Sequence, residues 1–305
     1  MAADPLAPLA GWVHEQLGLT LLRRSPVSGG GLHAAWRLEF AAAPPLFAKI
    51  GDRSVLAAEA EGLGALARAA AADLRVPTPR ALGDINGQGV LVLDWLDLSA
   101  SASEAGWRDL GIALARLHRR SLGMVCAEGD RTDGVWGWPR DNVIGAMPQL
   151  NGWWDSWSDF FLQRRLAPQL TWLAHRCGPL RGAERLLERA GGWLANHRPQ
   201  PVLVHGDLWS GNASLLRGGG GALFDPSIQR ADREVDLAMA QLFGGFPASF
   251  FSGYELEWPL PPGHHQRVRL YNLYHILNHA NLFGGGYRGQ AQTSLDALLA
   301  DPPGS

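Results

Sequence analysis

The chain is poor in the features that mark several protein classes. Its 305 residues include two cysteines, Cys126 and Cys177, too few for a disulfide framework and without a second ligand pair at zinc-finger spacing. The net charge of −2 offers no basic excess for nucleic acid. No apolar run is long enough to cross a membrane, and residues 1–19 lack the pattern of a signal peptide. We therefore expect a cytoplasmic protein with both thiols in its core.

Lysine is almost absent as well, because Lys49 is the only one in the chain. It lies late in a predicted strand, between Phe47-Ala48 and Ile50, whereas most lysines lie on solvated surfaces. This position favours a functional charge over an ordinary surface one. Hydrophobic residues make up 46% of the chain and charged residues 18%, as is typical of a globular protein.

Two kinds of pattern divide the chain near residue 97. Before it, strand-like runs surround one alanine-rich helix at 54–72, for which Ser54 is a candidate N-cap. After about residue 104 helical spacing dominates, although 131–154 is rich in Gly, Pro, Trp and Asn and predicts a long ordered loop. These patterns predict an α+β fold, with a small sheet-rich lobe over 1–97 and a larger, mainly helical lobe over 98–305.

The segment 204–212 and the run that ends at Asp225 carry the most chemical information. Asp207, Asn212 and Asp225 each follow an apolar stretch. In phosphoryl transfer, one carboxylate orients a hydroxyl while an amide and a second carboxylate supply oxygen ligands to Mg²⁺. An isolated Asp or Asn is more typical of a turn or a helix cap. The spacing of the three residues favours the phosphoryl-transfer site.

These residues resemble a known group of proteins. His205, Asp207, Asn212 and Asp225 resemble the catalytic and metal-binding loops of the protein-kinase-like fold. Their surroundings resemble the fructosamine kinase (ketosamine 3-kinase) family, relatives of aminoglycoside phosphotransferases. The matching segments, in chain order, are 141–145, 148–151, 205–212, 232–239 and 273–279. Five ordered segments between about Val27 and Tyr287 make the resemblance far more specific than the first motif alone.

The resemblance implies a two-lobed kinase that uses ATP and Mg²⁺. Its substrate would be a ketosamine, such as a ribulosamine or fructosamine adduct, free or on a protein lysine, phosphorylated on the 3-hydroxyl in deglycation repair. Asp207 would be catalytic, and Asn212 and Asp225 would hold the metal. Lys49 would position the ATP phosphates with Glu59, which fits the family's Glu-x-x-Gly-Leu pattern better than Glu61 does.

Other site residues follow from the resemblance with less support from the residues themselves. Gly29, Gly30 and Gly31 would bring backbone N–H groups to the phosphates, although a hairpin turn explains them equally well. Many family members have a cysteine where Gly31 falls, so we expect no thiol switch there. Backbone groups of Asp94 and Leu96 would bind adenine. Trp209 would stack on the sugar or pack in the core.

Several neighbours of the motif have structural interpretations. His205 is expected to brace the loop by hydrogen bonds, and Asp236 to anchor it at the start of the next helix. His275, Asn278 and His279 share a helical face and predict hydrogen-bonded packing, or the wall of the acceptor pocket. His264-His265 predicts a solvated loop.

Two alternative functions remain open. One is an aminoglycoside, choline or other small-alcohol phosphotransferase, because a fold does not fix the acceptor. The other is a catalytically silent nucleotide-binding homologue, against which the joint presence of Lys49, Asp207, Asn212 and Asp225 argues. The sequence does not decide between a monomer and a homodimer, and we expect neither a nucleic-acid nor a membrane partner.

Overall fold

Short strands and two helices build the N-terminal part of the computed structural model, which describes residues 8–27, 34–101 and 103–301. The strands are β1 (Leu21–Pro26), β2 (Ala34–Phe40), β3 (Leu46–Gly51), β4 (Leu74–Arg75), β5 (Pro79–Ile85) and β6 (Gln88–Asp94). Five of them form an antiparallel sheet in the order β1-β2-β3-β6-β5. Lys49 on β3 lies opposite Leu91 on the buried strand β6. The sheet therefore fixes the one lysine of the chain near the middle of this part.

Two helices pack on opposite faces of this sheet, α1 (Leu9–Leu17) and α2 (Arg53–Ala69). Helix α1 ends at Gly18, which has a left-handed backbone (φ 69°) that glycine adopts without strain. The prediction that Ser54 caps α2 is wrong. Asp52 is the N-cap, and its Oδ1 accepts hydrogen bonds from the backbone N–H groups of Ser54 and Val55. Aspartate caps a helix start as well as serine does, so composition alone could not separate the two.

Helices dominate the rest of the chain. They are α3 (Glu104–Ser121), α4 (Trp157–Phe160), α5 (Ala167–Cys177), α6 (Ala183–Leu194), α7 (Glu234–Leu242), α8 (Ala248–Glu257), α9 (His264–Phe283) and α10 (Gly286–Ala300). A π-helical segment, Phe161–Leu166, connects α4 to α5. Asp236 lies within the first turn of α7 and not at its start. His264-His265, predicted as a loop, forms the first turn of α9.

Eight short strands connect these helices. They are β7 (Trp136–Trp138), β8 (Asn142–Ile144), β9 (Met147–Gln149), β10 (Gly152–Trp154), β11 (Val202–Val204), β12 (Ala213–Leu215), β13 (Gly221–Leu223) and β14 (Gln229–Ala231). The prediction of a loop over 131–154 is therefore wrong for four of them. Three-residue strands are too short for their side-chain alternation to be recognised in a sequence. The glycines at 218–221 form the turn between β12 and β13.

The largest contacts between the two parts are apolar. One buried cluster joins Leu63 of α2 and Leu91 of β6 to Leu114 of α3 and Leu203 of β11. It crosses residue 97, where the sequence predicts the boundary between the lobes, and that boundary stays a prediction. Of the two thiols, Cys126 is buried as expected, but Cys177 is exposed because it is the last residue of α5.

Candidate functional site

Buried hydrogen bonds hold the segment 205–212, called here the motif loop. It follows β11, all of whose residues are buried. The carboxylate of Asp236 accepts the backbone N–H groups of His205 (2.7 Å) and Gly206 (2.8 Å). The carbonyl of His205 accepts the N–H of Ser227, which precedes β14 (2.8 Å). The loop therefore leaves the buried sheet in a fixed direction, with Asp207 directly after the anchored residues.

Gly206 is the point where only a glycine fits this path. Its φ is +82°, and a Cβ atom there would lie 2.0 Å from the carbonyl oxygen of Ser227. We expect Gly206→Ala to lower the free energy of unfolding by more than about 2 kcal/mol, since a left-handed alanine alone costs about 1–2 kcal/mol. Denaturant titration measures this loss. Gly219→Ala is the matched control, because φ is +90° there and nothing lies within 4 Å. Equal losses in both variants would show that the contact with Ser227 is unimportant.

The structure brings Asp207, Asn212 and Asp225 together, although Asp225 comes from a different segment. The amide nitrogen of Asn212 donates to the backbone oxygen of Asp207 (2.9 Å) and to its carboxylate (3.2 Å). The same nitrogen lies 3.4 Å from the carbonyl oxygen of Asp225, which follows β13 with a φ of 59°. The hairpin of β12 and β13 thus returns the chain to the motif loop with its second carboxylate in reach.

Lys49 joins this group from the N-terminal sheet. Its ammonium donates to Glu59 Oε1 (2.8 Å) on α2 and also to Asp225 Oδ1. Lys49 and Glu59 are buried, with relative exposures of 7% and 8%. The pairing of Lys49 with Glu59, predicted in preference to Glu61, is present, and Glu61 instead pairs with Arg140 (2.9 Å). Five residues separated by up to 176 positions therefore form one charged cluster.

Burial and like charges shift the ionisation of this cluster. Burial, with the nearby charge of Asp225, raises the pKa of Asp207 to about 7, although the hydrogen bond from Asn212 opposes the shift. Burial likewise raises the pKa of Glu59 to about 7. Burial opposes the charged form of Lys49, but the carboxylates of Glu59 and Asp225 outweigh it and raise the pKa of Lys49. The ammonium of Lys49 thus pairs with two carboxylates. Asp207, with its raised pKa, is able to exchange a proton near neutral pH.

The histidines near the loop are structural. His205 is fully buried, and its Nε2 lies 2.9 Å from the carbonyl oxygen of Phe224. Burial lowers its pKa. His118 on α3 was not singled out from the sequence, yet its Nε2 lies 3.1 Å from Asp236 and its Nδ1 lies 2.8 Å from the hydroxyl of Tyr254. The signal that the sequence offered for His118 was a histidine on an otherwise apolar face of a helix.

The histidine face of α9 is buried, as its packing interpretation requires. His275 has a relative exposure of 4%, and its Nδ1 has no hydrogen-bond partner among the described residues. Asn278 packs against Gln169, with 3.3 Å between their side-chain polar atoms. His279 Nδ1 lies 2.9 Å from the carbonyl oxygen of His275. A role for this face in the acceptor pocket stays a prediction.

Of the remaining predicted site residues, the structure describes three and leaves three undescribed. Gly29, Gly30 and Gly31 lie outside the described residues. Asp94 ends β6, and its carboxylate accepts from Arg80 (2.5 Å), so that side chain is already engaged. Leu96 follows in the segment between the two parts, and its carbonyl accepts the N–H of Leu98. Trp209 is 41% exposed beside Asp207, which rules out the alternative of core packing.

Oxygen atoms suited to Mg²⁺ are present in this cluster. The amide nitrogen of Asn212 donates hydrogen bonds within the loop, so its amide oxygen is the atom available to bind a metal. Asp225 uses Oδ1 for Lys49. An amide oxygen and a carboxylate oxygen form the kind of hard-donor set that Mg²⁺ prefers. The donors therefore fit the predicted metal.

Comparison with known proteins identifies the family. The family model described as fructosamine kinase matches residues 9–301. The chain belongs to the fructosamine kinase family. A relative in Synechocystis, named "Probable ketoamine kinase", is 46% identical over 241 residues, which cover 79% of this chain and 78% of the relative. As a member of this family the chain is a kinase, and its ketosamine kinase character was predicted from the motif loop and its surroundings.

Solved structures agree with this membership. A candidate fructosamine-3-kinase from Thermobifida fusca superposes with a TM-score of 0.82 at 27% identity, covering 96% of this chain and 98% of that one. A variant of aminoglycoside phosphotransferase APH(4)-Ia, in a ternary complex with AMP-PNP and hygromycin B, has a TM-score of 0.63 at 14% identity. That comparison covers 98% of this chain and all of the other. At this identity the likeness establishes the fold alone, and it confirms the predicted protein-kinase-like architecture of this fructosamine kinase family member.

Among the helices of the described residues, none combines the length and the apolar character that crossing a bilayer requires.

Proposed function

We propose that the protein transfers the γ-phosphoryl group of ATP, with Mg²⁺, to a sugar hydroxyl of a ketosamine, the 3-hydroxyl of a ribulosamine or fructosamine adduct. The acceptor is a free ketosamine or a glycated protein lysine. The observation that carries the proposal is the cluster of Lys49, Glu59, Asp207, Asn212 and Asp225. The scarcity of cysteine supports a cytoplasmic location as part of the same proposal.

In this proposal the N-terminal part, residues 1–97, clamps the nucleotide. Lys49, held by Glu59, neutralises the ATP phosphates, and backbone groups of Asp94 and Leu96 contact adenine. Gly29, Gly30 and Gly31 complete the phosphate contacts. Positioning of the phosphates contributes much of the catalysis, because a loose phosphoryl transition state needs little covalent help from the protein.

The C-terminal part, residues 98–305, supplies the chemistry and the acceptor site. Asn212 and Asp225 would hold Mg²⁺, which neutralises charge on the transferred group. Asp207 accepts a hydrogen bond from the acceptor hydroxyl, orients it and takes its proton as the new phosphorus–oxygen bond forms and the bond from the γ-phosphorus to the leaving ADP breaks. Its raised pKa of about 7 suits this proton transfer near neutral pH. Trp209, exposed beside Asp207, offers an indole face to the CH groups of a sugar.

A panel of acceptors tests the proposal. ATP consumption is measured with a ribulosamine, a fructosamine, an aminoglycoside and choline at equal concentrations. We expect turnover with one or both ketosamines, and nuclear magnetic resonance of the product to locate the phosphate on the 3-hydroxyl. Turnover with the aminoglycoside or choline alone would replace the ketosamine assignment. Nucleotide binding without turnover on any acceptor would indicate a catalytically silent homologue.

Asp225 gives a sharper test of the metal assignment. We expect Asp225→Ala to weaken Mg·ATP binding by about tenfold or more, since it removes a charged metal ligand. Titration calorimetry with AMP-PNP, with and without Mg²⁺, measures the affinity. Asp97→Ala is the control, because its exposed carboxylate contacts only Arg217 (3.2 Å) in the described chain. An unchanged Mg·nucleotide affinity in Asp225→Ala would contradict the assignment of this ligand.

A further inference from the structure

A second cavity, of about 870 Å³, lies away from the motif loop. It opens beside Asp232, directly after β14, where Val202 pairs with Ala231. The motif loop leaves the other end of this strand pair, after Val204. The volume falls within the range of about 300–1,000 Å³ that is usual for small-molecule sites. A ligand here would therefore be separated from Asp207 by the length of the strand pair.

The acidic groups at this cavity are already engaged with protein partners. Asp232 lies 2.6 Å from His197 Nε2 and accepts the hydroxyl of Tyr271 (2.7 Å). Glu234 forms two hydrogen bonds with Arg267, of 2.7 and 2.8 Å. His197, Asp232 and Glu234 come close enough together to suggest a metal site. Their full engagement with protein partners argues against one.

Two guanidinium groups at the cavity, those of Arg233 and Arg198, have no carboxylate partner among the described residues. Arg233 has a relative exposure of 8%, lies 4.0 Å above the ring of Trp258 and donates to the carbonyl groups of Trp258 and Pro259. Arg198 is exposed and donates to the carbonyl groups of Ala195 and His197. Within the described chain, no carboxylate oxygen lies within 4.0 Å of either group. Their charge is therefore uncompensated, and the cavity carries a surplus of positive charge.

The walls of the cavity add a flat apolar surface. Trp193 and Trp258 line it together with prolines at 259, 261 and 262. Indole faces stack on planar groups, while a guanidinium binds the planar pair of oxygens of a carboxylate or a phosphate through parallel hydrogen bonds. A neutral sugar would leave the two arginines without partners. The combination therefore favours a ligand with one anionic end and one planar apolar end.

We propose that this cavity is a second ligand site, which binds a small organic anion through Arg233 and Arg198 and packs the ligand's planar part against Trp193 and the prolines of the cavity wall. The anionic group is a carboxylate or a phosphate ester. The site is separate from the nucleotide and acceptor sites, so its occupancy does not depend on the proposed reaction.

Calorimetry on the full chain, saturated with Mg·AMP-PNP to fill the nucleotide site, tests the site directly. Benzoate and phenyl phosphate are the probes, and benzyl alcohol is the uncharged match. We expect at least one anion to bind about tenfold or more tightly than benzyl alcohol. Whichever anion binds identifies carboxylate or phosphate as the recognised group. If neither anion binds up to about 10 mM, or if benzyl alcohol binds equally well, the proposal is wrong.

Variants locate the binding. Arg198→Gln removes an exposed charge without disturbing the fold, and we expect it to lower the affinity for the anion by about fivefold or more. Arg233→Gln should weaken it further, with circular dichroism to check that the chain folds. Arg189→Gln, an exposed position on α6 that does not line the cavity, is the matched control and should change nothing. Equal affinities in Arg198→Gln and Arg189→Gln, or displacement of the probe by a ketosamine, would assign the binding elsewhere.

Discussion

Replacing Asp207 by asparagine should lower kcat by about 10²–10⁴-fold while leaving nucleotide affinity close to that of the parent protein. The range is that of a positioned acid or base. Asparagine keeps the size of the side chain, but it cannot take the proton of the acceptor hydroxyl. Mg·AMP-PNP should still bind, because Lys49, Asn212 and Asp225 remain. Steady-state kinetics with the active ketosamine and calorimetry with the nucleotide separate the two effects.

The same substitution should alter the pH dependence. The pKa of Asp207 is raised to about 7, so the carboxylate needed for catalysis forms only as pH rises through that value. We expect kcat/KM for the nucleotide, which reports groups of the free enzyme, to rise between about pH 6 and 8 and then level off. The Asp207→Asn variant should lack this inflection in its residual activity.

The free energy of unfolding of the parent protein should fall over the pH range in which its activity rises. A carboxyl group whose pKa is 3.8 when unfolded and about 7 when folded holds its proton more tightly in the native state. Native stability therefore falls as pH rises from about 4 to 7, and the loss is complete above pH 7. Asp207→Asn does not titrate, so at pH 8 it should be more stable than the parent by on the order of 2 kcal/mol. Denaturant titration at pH 5 and 8 measures the difference.

Asp133→Asn is the matched control for Asp207, because its exposed carboxylate pairs with Arg131 on the surface. It should change neither kcat nor the pH profile. If Asp207→Asn retains parent-level turnover with a ketosamine, Asp207 is not the group that orients or deprotonates the acceptor. A joint loss of turnover and nucleotide binding would instead assign it a role in holding the metal or the loop.

The sequence was sufficient to predict the charged cluster because each member follows a recognisable pattern. Asp207 comes shortly after β11, and Asp225 comes shortly after β13. Lys49 was marked by its place inside the apolar strand β3. The distances between them could not be predicted from spacing alone. Folding closes the gap of 176 positions between Lys49 and Asp225 by packing the N-terminal sheet and α2 onto the same core as α3 and β11.

Features that depend on tertiary partners were missed. In the sequence, His118 is one polar residue in an amphipathic helix. Its hydrogen bond through Nε2 depends on Asp236, which is far away in the chain. Arg165 was not singled out from the sequence, yet it is fully buried in the π-helical segment and donates to Gln229 and Asn151. Burial lowers its pKa to about 10. A one-residue change in helical register turns such a side chain inward, and no local pattern records that change.

Asp236 is expected to be the most sensitive position for stability. Its carboxylate is fully buried and accepts the backbone N–H groups of His205 and Gly206 together with His118. Burial opposes its ionisation, but His118, His205 and the backbone donor of Gly206 reverse that effect and lower its pKa. The ionised form is therefore the native one. Its stabilising contribution is present above the unfolded pKa of 3.8 and is lost as pH falls through the lower folded value.

Asp236→Ala should lower the free energy of unfolding by about 3–5 kcal/mol at neutral pH, because it leaves two backbone donors and a histidine buried without their acceptor. Guanidinium titration measures this loss. Surface Asp133→Ala should cost less than about 1 kcal/mol and serves as its matched control. In the folded fraction, kcat should fall, since the direction of the motif loop, and with it the position of Asp207, depends on Asp236. A loss of stability no larger than that of Asp133→Ala would mean that solvent or another side chain satisfies the loop, and that Asp236 does not anchor it.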